Sequence, residues 1–142
     1  MRVLLVLFVL GAGLAAGACR AAAGGSGVSP AGTWMLVELE GIDVGALGRA
    51  PELTISADGA LNGFAGVNRF SGRAEPEALR AGEFLAGPMA ATRMAGEPRA
   101  MDAESRFLAL LATRLEWRRS AGELTLLQRG AIQARFRAAA GG

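Results

Sequence analysis

The chain has no lysine, no histidine and one cysteine among its 142 residues. Without His or Lys, the Ser-His-Asp, Cys-His and Ser-Lys nucleophile systems cannot be assembled. A lone cysteine, Cys19, excludes any intramolecular disulfide. Metal ligation would rest on carboxylates alone, and these are scattered, with no oxygen-rich loop of the EF-hand type. Asp102 and Glu104 are close in sequence but read as residues near the positive end of a helix, not as a hydrolytic pair. No glycine-rich phosphate loop opens a helix, since GVNRFSG (residues 66–72) leads into a strand-like stretch. The expectation is a non-enzymatic protein with no cofactor and no metal.

What is present is arginine. All 15 basic residues are Arg, set against 13 Asp and Glu for a formal net charge of +2. The two signs interleave along the chain, so the high isoelectric point reflects the arginine pKa and leaves no basic footprint for nucleic acid.

The N-terminus has the layout of an export signal. Arg2 supplies a positive start, and residues 3–18 form an apolar run ending in Ala16, Gly17 and Ala18 before Cys19. A helix of that run would span roughly 24 Å, short of a hydrocarbon core of about 30 Å. Cys19 after a small-residue site resembles a bacterial lipobox, although Ala16 stands where Leu is usual. Ordinary cleavage nearby is the alternative. On the lipoprotein reading, residues 1–18 are a signal peptide and residues 19–31 are a lipidated cysteine and flexible tether. Several acyl chains on Cys19 would anchor the protein to the membrane. Arg20, not Asp, follows the cysteine, which points to the outer membrane, periplasmic side. Residues 21–30, AAAGGSGVSP, have the composition of a flexible linker.

The folded part is expected over residues 32–138, enough for one modest core. Residues 33–39 (TWMLVEL) suit a first strand, and Leu53, Ile55 and Ala57 alternate with polar residues as in a half-buried second one. Asp58 and Gly59 signal a hairpin turn into a partner strand at 61–65. Residues 79–85 and 88–95 are weaker extended candidates. From Pro98 the pattern changes: Met101, Phe107, Leu108, Leu111 and Leu115 recur near 3.6 residues, predicting one main helix with Pro98 in its first turn. Three alternating stretches separated by Gly122 and Gly130 then predict a meander. The fold class is α+β, a small antiparallel β-barrel or sandwich-like sheet with one main helix. Trp34 and Trp117 read as core; Met89, Met94 and Met101 could line an adaptable apolar surface, but core filling is the commoner use.

Taken in order, GTWMLVELEG, GFAGVNRFSGRAE, GPMAATRMAGEP, ESRFLALL and GELTLL resemble the META domain family, HslJ-like envelope lipoproteins, over residues 32–137. The resemblance implies a bacterial envelope protein linked to heat or antibiotic stress, with no established chemistry. The family motifs commonly read Gly-Cys-Asn-Arg-Phe and Thr-Arg-Met-Ala-Cys. Here Val67 and Gly96 take the cysteine places. Their joint absence implies that they pair in relatives, and hence that Val67 lies near Gly96.

Two polar pairs are the candidate site, Asn68 with Arg69 and Thr92 with Arg93. They could face a ligand, with the two arginines on an anion. The commoner use is structural: Asn68 capping its own turn and Arg69 pairing with an acid such as Glu75. The leading function is stress tolerance through binding an envelope protein or maintaining the envelope, as a monomer. The alternatives are a lipocalin-like carrier with an apolar cavity and a periplasmic hydrolase inhibitor using residues 41–50 as a rigid loop.

Overall fold

The computed structural model describes residues 28–140. The stretch expected to be a signal peptide, Cys19 and most of the expected tether lie outside these residues, and no described helix is long and apolar enough to cross a membrane.

Nine strands form one antiparallel sheet: β1 (Gly32–Leu39), β2 (Glu52–Ile55), β3 (Ala60–Phe64), β4 (Arg69–Arg73), β5 (Glu83–Phe84), β6 (Ala90–Ala91), β7 (Leu115–Ser120), β8 (Glu123–Gln128) and β9 (Ala131–Ala138). Their order across the sheet is β5-β7-β8-β9-β1-β2-β3-β4-β6. This is one curled sheet, a half-barrel. Its two ends approach each other, because an isolated bridge joins Ala74, just past β4, to Ala86, just past β5. Glu75 N–H to Leu85 O and Gly87 N–H to Arg73 O, both 2.9 Å, reinforce that seam.

Helix α2 (Pro98–Leu111) has Pro98 in its first turn and lies across the sheet. Phe107 meets Phe70 of β4 edge-on, with ring centroids 5.9 Å apart, and Phe136 of β9 at 6.2 Å. One helical residue thus touches strands from both wings of the sheet. Trp34, Phe84, Phe107, Phe136 and eight Leu or Ile fill the remaining interior at 2% exposure or less. Each such side chain contributes about 1.5–3 kcal/mol by leaving water. The two indole N–H groups are satisfied internally, Trp34 by Pro30 O at 2.8 Å and Trp117 by Leu79 O at 2.9 Å.

Residues 79–85 take the expected extended form only at Glu83–Phe84, which is β5. A one-turn helix, α1 (Pro76–Arg80), takes up Leu79. Pro76 presets the first helical φ, and Glu77 pairs with Arg80 one turn on. Ala57 falls in the β2–β3 turn, and Leu115, which fits both the helical spacing and the alternation with Trp117, opens β7. In the β2–β3 turn the Ala60 N–H, with Arg73 alongside, holds the Asp58 carboxyl below the ordinary carboxylate range. Because the folded pKa is the lower one, this local contribution is present above the unfolded pKa. It is lost as pH falls through the folded value.

The β7–β8 and β8–β9 connections are two-residue turns with positive φ at both positions, 39° and 81° at Ala121 and Gly122, and 52° and 80° at Arg129 and Gly130. Such turns match strand twist and favour Asn-Gly. Ala121 and Arg129 are therefore in a backbone region that costs them energy. Replacing either by Asn is expected to stabilise by about 0.5–1 kcal/mol, measured by urea unfolding.

Candidate functional site

The β3–β4 loop, residues 65–68, crosses the helix through Gly66. Gly66 has φ +144°, and a Cβ there would lie 2.8 Å from Ala100 O and 3.3 Å from Glu104 Cβ. Only glycine lets the loop backbone approach α2 this closely. The approach aims two successive main-chain donors at one carboxylate. Val67 N–H and Asn68 N–H donate to Glu104 Oε2 at 2.9 and 2.6 Å, and Asn68 Nδ2 donates to Glu104 Oε1 at 2.8 Å. Glu104 is 7% exposed and Asn68 2%.

The other half of the Asn68 amide faces residues 92–94. Its Nδ2 also donates to Met94 O at 3.1 Å, while Oδ1 accepts from Met94 N–H at 2.7 Å and from the Thr92 hydroxyl at 2.8 Å. Two donors and two acceptor sites are the full capacity of a carboxamide. All four are occupied. Thr92 Oγ1 in turn accepts from Arg69 N–H at 3.2 Å, and Arg69 O accepts from Thr92 N–H at 3.0 Å.

Asn68 therefore does not cap its own turn, as expected from sequence, but joins the β3–β4 loop to α2 and to the 92–94 segment. Its main-chain carbonyl closes the loop by accepting from Ala65 N–H at 2.8 Å. The structure brings Asn68, Arg69 and Thr92 together. It does not pair Arg69 with Glu75: among the described residues neither Arg69 nor Arg93 enters an ion pair, and both side chains are exposed. Arg69→Ala is accordingly expected to change stability by less than about 0.5 kcal/mol in thermal unfolding.

Glu104 is the residue that sequence reading misplaced. The first turn of α2 carries no acid. Asp102 points to solvent and pairs with Arg106 at 3.2 Å, while Glu104 turns inward to the loop. The available signal is spacing, because Glu104, Phe107 and Leu111 lie three and four residues apart and share the buried face. Val67 and Gly96 are neighbours: a Cβ on Gly96 would lie 3.2 Å from Val67 Cβ and 2.5 Å from its nearer methyl.

The other candidate surfaces differ from expectation. Residues 41–50 do not project as a free loop, because Val44 is buried and Ile42, Leu47 and Ala50 pack on the core. With the start of α2 they line an open cleft of about 370 Å³, bordered by Asp43, Arg99 and Asp102. Met94 is 57% exposed and is no core filler.

Among solved structures, an NMR structure is similar at 23% identity with a TM-score of 0.59, over 75% of this chain and 88% of that one. An NMR structure of a protein from Burkholderia xenovorans is similar at 21% identity with a TM-score of 0.60, over 76% and 81%. At such identities the likeness speaks to fold alone. No curated protein sequence matches the chain. The family model for the META domain matches residues 28–140, across the Gly66–Asn68 loop, the 92–96 segment and α2 alike. The chain belongs to the META domain family.

Proposed function

We propose that this META-domain protein is a non-enzymatic lipoprotein of the bacterial envelope that contributes to stress or antibiotic tolerance by binding another protein. The observation that carries the reading is the state of the family signature. Every hydrogen-bonding position of Asn68 is engaged inside the molecule, so the motif serves as a brace and offers no group to a substrate. A chain without His or Lys lacks two of the usual general bases and leaves only carboxylates for that role. The carrier alternative loses support because aromatic side chains and α2 occupy the concave side of the sheet, where a ligand would have to sit. The inhibitor alternative loses its loop, since residues 42–47 are tied down on the core.

Anchoring is tested at Cys19. Mass spectrometry of the mature N-terminus is expected to find an acylated Cys19, and Cys19→Ala is expected to move the protein from the membrane fraction to the soluble fraction. An unacylated N-terminus elsewhere would contradict it. Fractionation of the envelope then assigns inner or outer membrane, with the outer expected from Arg20.

A further inference from the structure

From Ala90 to Ala95 the chain runs extended along the outer side of β4, and all six residues are exposed. Ala90 and Ala91 pair with Ser71 and Phe70, and Thr92 continues the ladder to Arg69. Beyond that point β4 has turned away into the β3–β4 loop. The Asn68 carboxamide takes its place, accepting from Met94 N–H and donating to Met94 O as a neighbouring strand would. The brace therefore prolongs an edge strand past the end of its partner.

Backbone groups along a strand alternate between its two sides. Thr92 and Met94 turn theirs inward, so those of Ala91, Arg93 and Ala95 line the outer side. β6 ends the sheet there, while β5 at the other end is tied to Ala74 through Ala86. Natural edges are usually blunted by Lys, Pro or a bulge. Between Pro88 and Pro98 this one has only the half-buried Met89, small residues, Thr92, the exposed Met94, one Arg and Glu97. Arg93 sits at its centre and Arg69 on the adjoining strand, neither in an ion pair among the described residues. Arg49 adds a third cation, stacked 4.2 Å from the Phe64 ring, and Phe64 is the cross-strand partner of Arg69.

We propose that residues 90–95 dock an extended acidic segment of another protein by strand addition. The main chain would supply affinity, and Arg93 and Arg69 would select acidic side chains. This inference rests on the protein-binding reading and names its surface.

The test uses the full-length chain and a short fluorescein-labelled peptide in which Glu alternates with Val. Fluorescence anisotropy is expected to show binding with a Kd of roughly 10–100 μM, weakening as salt is raised. Arg93→Pro removes an outward N–H that has no partner inside the fold, and is expected to weaken binding at least about tenfold while thermal unfolding stays cooperative. Arg93→Glu is expected to reverse the preference toward the same peptide with Lys for Glu. Amide exchange read by NMR is expected to slow at Ala91, Arg93 and Ala95 on binding, with Thr92 and Met94 already slow beforehand.

Equal binding by wild type and Arg93→Pro, or protection elsewhere, overturns the edge as the surface. Concentration-dependent protection of the same amides without peptide assigns the edge to a second copy and overturns the acidic-partner proposal. Crosslinking in the envelope separates the two levels. A partner retained by Arg93→Pro sinks the edge alone, whereas no partner for either form sinks the protein-binding reading as well.

Discussion

Replacing Val67 and Gly96 together by cysteine is expected to produce an intramolecular disulfide under oxidising conditions and to raise the melting temperature by roughly 10–15 °C. The geometry is close to ready. The Cβ–Cβ separation of 3.2 Å is slightly inside the usual mean of about 3.8 Å, so a small opening suffices. Gly96 is not at positive φ, so a side chain is allowed there once Val67 gives way. Closing a loop of about 30 residues contributes roughly 3–4 kcal/mol on the chain-entropy model. For a domain near this size that corresponds to about 4 °C per kcal/mol. Gly96→Cys alone behaves oppositely, since its Cβ would meet the Val67 methyls at 2.5 and 2.8 Å. Overpacking of that kind costs about 1–3 kcal/mol. Differential scanning of the oxidised and reduced double variant, beside the single one, reads both signs.

The second large effect lies in the brace itself. Glu104→Ala leaves three donors aimed at an empty place: the N–H groups of Val67 and Asn68 and the Asn68 carboxamide. Two of these three bonds are buried. Losing one partner of such a buried network costs roughly 3–5 kcal/mol, a large share of the stability of a small domain. Asn68→Asp is the sharper version because it keeps the shape. It sets a second carboxylate oxygen where Nδ2 stood, 2.8 Å from Glu104 Oε1 and 3.1 Å from Met94 O, converting two attractions into repulsions. Circular dichroism during urea unfolding is expected to place both variants far below wild type.

These two results address different questions. The disulfide asks whether the β3–β4 loop and the 96 position are neighbours, and the Glu104 and Asn68 variants ask what that neighbourhood is for. A brace that immobilises residues 92–94 from behind also fixes the exposed edge in front of them. Scaffold and proposed docking surface are then two faces of one arrangement.

Local pattern made much of the architecture legible. The spacing of Phe107, Leu108 and Leu111 after Pro98 matches α2, and the alternations around Trp117, Leu124, Leu126, Ala134 and Phe136 match β7, β8 and β9. The α1 turn was hidden because five residues are too few for a helical period to register, and only Pro76 marks its start. The site was half visible. Gly66, Asn68 and Thr92 stand out as polar or glycine interruptions in apolar surroundings, but their partners are 24 to 36 residues away, and no local pattern encodes that distance. Proximity of Val67 to Gly96 came through family comparison and not through the residues themselves. Glu104 is hard to read from sequence because an acid early in a helix has an ordinary dipole explanation, although its register with Phe107 and Leu111 places it on the buried face.

The most direct measurement is a double-mutant cycle of Asn68→Ala and Glu104→Ala by equilibrium urea unfolding of the full-length chain. If the family signature is an internal brace, the two changes share one loss, and a coupling of at least about 1.5 kcal/mol is expected. Additivity within about 0.5 kcal/mol, or two variants as stable as wild type, would contradict it and return Asn68 to the surface chemistry of a ligand site.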